Sequence, residues 1–295
     1  MQPFFSIIIP TYNREKNISS AIDSILEQVF QDWELIVVDD GSTDKTNDVV
    51  QKYCETDERV HYIYQQNAER SAARNNGINH AKGEFTCFLD SDDQFDTIHL
   101  QKLFETISSV ENKNLIFVTN SRIINSEKTV VAVSDIKQGE SDAETVLVNT
   151  ITPGQMCIPT TIIQSHLFNE KIRISEDTEL LFRLIDDAPL QLLPQATLIY
   201  NQHDDNSVNP LRYNAYEERK KTLKYIFKSS HGRMIKSQLK RKILSDCHFG
   251  IAKFYAANNN FWKVRWCILI ASLFYPETRL KEKIYLLLNP RKALQ

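Results

Sequence analysis

Three carboxylates, Asp90, Asp92 and Asp93, follow directly on the apolar run Phe85–Leu89 in the stretch FTCFLDSDD. Such a run reads as a buried strand, so the acids are delivered together at its carboxyl end. Carboxylate oxygens are hard ligands suited to Mn2+ or Mg2+, and like charges crowded at one strand end repel unless a cation sits between them. The chemistry suggested is a divalent-metal site, and the plainer reading of an isolated Asp-Xaa-Asp is a solvated acidic loop. A second acidic group, Glu176, Asp177 and Glu179, opens a helical pattern carried by Leu180, Leu181, Leu184 and Ile185. Acids in a first helical turn complement the helix dipole with no catalytic role, but a carboxylate there can also serve as a base. His203 stands in the polar run Asn201–Ser207, where a lone histidine on its own reads as surface.

The elements that must position these residues repeat a simple unit. Ser6–Pro10 is a continuous apolar, β-branched run, the pattern of a strand buried on both faces, and it ends in Thr11-Tyr12-Asn13. Ile18, Ala21, Ile22, Ile25, Leu26 and Val29 then recur at helical spacing. Leu35–Val38 predicts a second strand, running into Asp39-Asp40-Gly41-Ser42, with a helix marked by Val49, Val50 and Tyr53 behind it. Val60–Tyr64, a helix over 72–81 carrying Arg74, and Phe85–Leu89 continue the alternation, and Arg70 stands just ahead of that helix. Repeated β-α units predict a parallel, doubly wound sheet whose ligands bind beyond the carboxyl ends of its strands. Those ends carry Thr11, Tyr12, Asp39, Asp40 and the Asp90–Asp93 acids. The strands foreseen at Leu115–Thr119 and Thr129–Val133 are followed by residues 135–160, where periodicity weakens.

No GxGxxG turn and no Walker GK[ST] occurs, which argues against dinucleotide oxidoreduction and P-loop chemistry. With seven glycines in 295 residues, phosphates must be met by a metal and by basic side chains such as Arg70 and Arg74. Composition is that of a soluble globular chain, 42% apolar and 25% charged. Charge is unevenly spread. Residues 1–210 hold 16 Lys/Arg against 33 Asp/Glu, and residues 211–295 hold 19 against 5. We therefore expect an acidic domain over 1–210 and a basic, mostly helical region over 211–295. Trp262, Lys263, Arg265 and Trp266 in that region suit an anionic membrane interface, or else a helical cap. Nucleic acid is not expected as a partner, because the acidic body would repel phosphate backbones. Five cysteines with no Cys-Xaa-Xaa-Cys spacing predict neither disulfides nor zinc, which points to the reducing cytoplasm. The opening MQPFFSIIIPTYN reads as a first strand and not as a signal peptide, and the apolar run Trp266–Tyr275 is too short to span a bilayer.

Taken together, SIIIPTYNRE, ELIVVDDGSTD, ERSAARNNGINHAKGEF, CFLDSDD and SEDTEL, in this order and spacing, resemble a family 2 glycosyltransferase of the GT-A fold over roughly residues 4–205. The resemblance implies an α/β, Rossmann-like, mostly parallel sheet with flanking helices. It also implies an enzyme that moves a hexosyl or N-acetylhexosaminyl group from a nucleotide donor, expected to be a UDP-sugar, with inversion at the anomeric carbon. By the same resemblance Pro10, Thr11 and Tyr12 neighbour the base, and Asp40, with Asp39 beside it, accepts from the uracil imide. Arg70 or Arg74 lies near the nucleotide. Asp90 and Ser91 face the ribose side, and Asp92 or Asp93 ligates Mn2+ or Mg2+. His203 is a further metal or diphosphate contact, and Glu176-Asp177 is an acidic dyad whose second member is the general base. The acceptor expected is a glycan or lipid-linked glycan of surface polysaccharide synthesis, with the enzyme cytoplasmic or peripheral at the inner membrane face. The rival readings are a catalytically silent scaffold with the same fold and a nucleotidyltransferase, which would need the missing glycine-rich loop.

Overall fold

The computed structural model describes residues 2–202, 215–277 and 279–288. It separates into two compact units: one runs from the N-terminus to Lys171 and resumes at Leu180, and the other joins Ile172–Glu179 to the helices from Ala215 onward.

The first unit is built on β1 (Phe5–Thr11), every residue of which is buried. It lies between β2 (Trp33–Asp39) and β4 (Phe85–Phe88), parallel to both, and β2 is followed outward by parallel β3 (Val60–Tyr64). β1, β2 and β4 are buried at every position, and strands covered on both faces are mostly apolar along their length, which is why these three lack the alternation of a half-exposed strand; β3 is only partly buried. The crossovers are α1 (Ile18–Leu26), α2 (Thr46–Thr56) and α3 (Glu69–His80). Ile18, Ala21, Ile22 and Ile25 bury one stripe of α1 against the core. Val29, which fits that spacing, lies beyond the end of the helix and is exposed. Its amide instead donates to Thr97 O at 2.9 Å, so the chain has already left the helix. Helix α3 can approach β1 closely because Gly77 has no side chain: a Cβ there would lie 2.5 Å from Ile8 Cγ2.

Nine strands form one sheet among the described residues, in the order β3-β2-β1-β4-β8-β6-β9-β5, with β7 beside β6. The added strands are β5 (Gln94–Phe95), β6 (Ile116–Ile124), β7 (Val130–Val133), β8 (Met156–Pro159) and β9 (Leu190–Asn201). The sheet is mostly parallel, as expected, fully so in its first half and mixed in its second: β8 runs antiparallel to both β4 and β6, whereas β9 is parallel to β6. Helix α4 (His99–Ser109) follows β5. The weakly periodic stretch before β8 holds α5 (Asp142–Val148) and a 3-10 turn at Pro153–Gln155. These bring the chain back in the reverse direction, a return that no β-α-β repeat announces. Helices α6 (Thr160–Ser165) and α7 (Glu176–Leu184) precede β9.

The C-terminal unit contains α8 (Ala215–Ile226), α9 (Ser230–Met234), α10 (Ser237–Ala257), α11 (Phe261–Phe274) and α12 (Leu280–Leu288). Asn259, at φ +56°, takes the left-handed turn that asparagine tolerates and lets α11 pack back on α10. The core of this unit is formed by residues such as Phe249, Ala252, Val264, Ile268 and Leu286. Lys283 is buried, and its Nζ donates to Ser245 Oγ at 2.9 Å and to Tyr275 O at 2.7 Å, serving carbonyl groups at the end of α11; burial lowers its pKa. No helix among the described residues is long and apolar enough to cross a membrane.

Candidate active site

The ends of β1 and β2 are level, with Thr11 opposite Asp39 and the Asp40 amide donating to Thr11 O at 2.8 Å. Beyond them two loops are laced together. Asn13 N donates to Ser42 Oγ (2.9 Å), Thr43 N to Asn13 Oδ1 (2.8 Å) and Arg14 N to Thr46 Oγ1 (2.8 Å). Gly41 makes the turn at φ +81°, where an added Cβ would lie 2.8 Å from Asn67 N. The two carboxylates here are used differently. Asp39 accepts from Ser42 N on Oδ1 (2.8 Å) and from Tyr62 Oη of β3 on Oδ2 (2.7 Å), so one oxygen holds the loop and the other is tied to the neighbouring strand. Asp40 takes both Gln65 Nε2 (2.7 Å) and Ala68 N (2.8 Å) on Oδ1. Pro10 is buried within β1, Tyr12 is half exposed, and the Thr11 hydroxyl is buried with no hydrogen-bond partner among the described residues.

The turn after β4 is closed by Asp93 N donating to Asp90 O at 3.0 Å. Arg74, on α3, donates from Nη2 to Asp90 Oδ1 at 2.8 Å, and Arg14 Nη2 lies 3.5 Å from Asp92 Oδ2. Asn201, the last residue of β9, donates its amide to Asp93 Oδ1 (2.9 Å) and its Nδ2 to Asp92 O (2.6 Å). Asp93 is buried; burial first, and then the charges of Asp90 and Asp92, push its carboxyl well above the usual range. Ser91 is buried beside these acids, and Arg70, near the start of α3, is half-buried. Arg14, Gln65 and Asn201 had no place in the sequence-derived set. Arg14 has a visible signal, a basic residue directly after the first strand; Asn201 lies 109 positions from Asp92 and has none.

The structure thus brings Thr11, Asp39 and Asp40 together at one pair of strand ends, and Arg74, Asp90, Asp92 and Asp93 at the neighbouring one. Glu176 and Asp177 begin α7 in the C-terminal unit, directly after Ser175, which is held at φ +63°. Glu176 is buried, and Asp177 Oδ1 accepts from Thr178 N at 2.6 Å and Thr178 Oγ1 at 3.2 Å. His203 lies outside the described residues. Among the described residues no three His, Cys, Asp or Glu side chains converge into a cluster able to hold a metal alone. A cavity of about 330 Å³ sits at the opposite end of β4, against Gly83, Lys113, Pro159 and Thr160, and none of these acids line it.

Residues 6–155 match the model for glycosyl transferase family 2. The chain belongs to that family. Among its relatives, a Campylobacter jejuni GalNAc(5)-diNAcBac-PP-undecaprenol beta-1,3-glucosyltransferase is 36% identical over 48% of this chain and 45% of its own length. Glycosyltransferase GlyA of Streptococcus pneumoniae is 39% identical over 35% of this chain and 15% of its own length. The chain spans less than half the length of the curated relatives it matches. The fold is shared with S. aureus TarS 1-349 solved with UDP-GlcNAc, at 21% identity and TM-score 0.66 over 98% of this chain and 87% of that one. It is shared as well with the Pyrobaculum calidifontis mannosyltransferase PcManGT, solved with GDP-Man and Mn2+, at 15% identity and TM-score 0.61 over 100% and 88%. The observed architecture is therefore a GT-A-like α/β unit together with a helical C-terminal region.

Proposed function

We propose that this chain is an inverting, metal-assisted glycosyltransferase that moves a hexosyl or N-acetylhexosaminyl group from a UDP-sugar to a hydroxyl of a glycan or lipid-linked acceptor in surface polysaccharide synthesis. The observation that carries the reading is the gathering of acidic groups at the carboxyl ends of the adjacent parallel strands β2, β1 and β4, where open α/β sheets bind ligands. The named activity of the Campylobacter relative and the UDP-GlcNAc bound by TarS support the acceptor and donor classes. Five free thiols suit a reducing compartment such as the cytoplasm.

In this reading Pro10, Thr11 and Tyr12 border the base: the buried Thr11 hydroxyl gains a partner and the half-exposed Tyr12 ring offers a stacking face. Asp40 receives the uracil imide on Oδ2, since Oδ1 is already engaged, and Asp39 holds the loop that presents it. Asp90 and Ser91, with Arg70 and Arg74, form the ribose and phosphate side. Asp92 and Asp93 would hold Mn2+ or Mg2+, with His203 as a further contact. The fit is chemical: a buried Asp93 beside two other carboxylates ionises readily only when positive charge arrives, and such ions use one or two carboxylates plus substrate phosphates. When bound, the ion offsets negative charge on the departing diphosphate. Asp177, with Glu176 beside it, accepts the acceptor hydroxyl's proton as that oxygen attacks the anomeric carbon from the face opposite UDP, which inverts the configuration.

Calorimetry with UDP and GDP, with and without Mn2+, tests the donor site. UDP should bind more tightly with Mn2+, and Asp92→Ala with Asp93→Ala should lose that gain. An undiminished gain in the double variant overturns the metal assignment, and a preference for GDP overturns the uridine assignment.

A further inference from the structure

Helix α11 is apolar on two opposite sides, yet only one of them is covered. Val264, Cys267, Ile268 and Ala271 form its buried stripe. Trp262, Trp266, Leu269 and Leu273, at i, i+4, i+7 and i+11, form a second stripe on the opposite side, and all four are exposed, Trp262 by 78% and Leu273 by 76%. Lys263 and Arg265 flank the Trp pair and are exposed as well. On α12, which packs on α11, Leu280, Ile284 and Leu288 repeat the pattern of exposed apolar residues at i, i+4 and i+8. A helix apolar on two opposite sides ordinarily buries both, so the uncovered stripe is a surface made for something else.

We propose that the outer stripe of α11 lies in the interface of an anionic lipid bilayer, with the tryptophans at headgroup depth and the leucines against the acyl boundary. Charge selects this occupant. Residues 215–288 carry 16 Lys/Arg against 5 Asp/Glu, which an anionic surface attracts and a second, equally basic copy repels. Interfacial helices combine these ingredients: Trp and Leu on one face, Lys and Arg at its margins, and too little apolar length to span. The C-terminal helices alone carry these features, independently of the transfer reaction.

The tryptophans report on it directly. Of the three in the chain, Trp33 is 2% exposed and cannot respond, so a change in emission on adding vesicles comes from Trp262 and Trp266. With the whole chain, vesicles of phosphatidylcholine containing one-third phosphatidylglycerol should shift emission to the blue and co-sediment the protein. Pure phosphatidylcholine should do neither, and salt at about 1 M should reverse the binding. Leu269→Gln with Leu273→Gln changes only exposed positions, so its thermal midpoint and UDP binding should match the parent while vesicle partition falls roughly 10-fold or more. Partition of that variant equal to the parent, or equal binding to neutral vesicles, overturns the proposal. So does a lipid-free blue shift that grows with protein concentration alongside a dimer mass in sedimentation, which would make the stripe a seam between copies.

Discussion

Arg74 and Asp90 are joined across the first unit: Nη2 donates to Oδ1 at 2.8 Å, with the guanidinium 2% exposed and the carboxylate 36% exposed. The ring of Phe168 lies 5.3 Å from the guanidinium carbon, so the charge is fixed between an aromatic face and the turn that carries the acids. A cation so placed positions the Asp90–Asp93 turn before any ligand arrives. We expect a double-mutant cycle of Arg74→Met and Asp90→Asn, followed by urea unfolding, to give a coupling of about 1 kcal/mol, the larger buried-pair values being discounted for the exposed carboxylate. Additive effects would mean that the contact does not hold the turn.

Asn201 fastens the far strand to the same turn through Asp92 O and the Asp93 carboxylate. Asn201→Ala removes the side-chain bond but keeps the backbone one, so the fold should persist while the turn loosens. Binding of UDP with Mn2+ should weaken about 3- to 10-fold, the scale of one hydrogen bond, with little change in UDP binding without metal. Equal loss in both conditions would assign Asn201 to the nucleotide and not to the acids.

Asp177→Asn preserves size and polarity and removes basicity. Donor affinity should be retained and turnover should fall by roughly 10²-fold or more. The parent's product from an α-linked donor should be β-linked by NMR. Near-parental turnover in the variant, or retention of configuration, would falsify the general-base role.

His99 provides a pH test of the first unit. It is fully buried, stacked on Phe95 with ring centroids 3.7 Å apart and bonded through Nδ1 to Thr197 Oγ1 at 2.7 Å. Burial pushes its pKa down to about 3. A base depressed on folding stabilises the fold above its unfolded pKa and loses that contribution as pH falls below it. Between pH 6.5 and 5, a window above the ordinary carboxylate range, this group should remove about 2 kcal/mol. Chemical unfolding across the window should show the loss in the parent and a flatter profile in His99→Gln; identical slopes would mean that His99 is protonated in the fold.

What the chain determined locally was legible without coordinates. Runs such as Ser6–Pro10 and Leu35–Val38 have no polar alternate positions, so they had to be strands covered on both faces, and the acids written after them had to stand at strand ends. Tertiary structure decided whatever depends on partners far along the chain. Asn201 reaches Asp92 only because β9 ends beside β4's turn, and no local pattern carries that information. The antiparallel course of β8 was hidden for the same reason, since hydrophobicity marks a buried strand but not its direction. Asp39 and Asp40 are chemically identical neighbours; the donors around them separate the one that holds the loop from the one with Oδ2 still available. On α11, apolar on two opposite sides, periodicity could not say which face was covered, and the packing of α10 and α12 settled it by burying Val264 and Ile268 and leaving Trp262 and Leu273 outside.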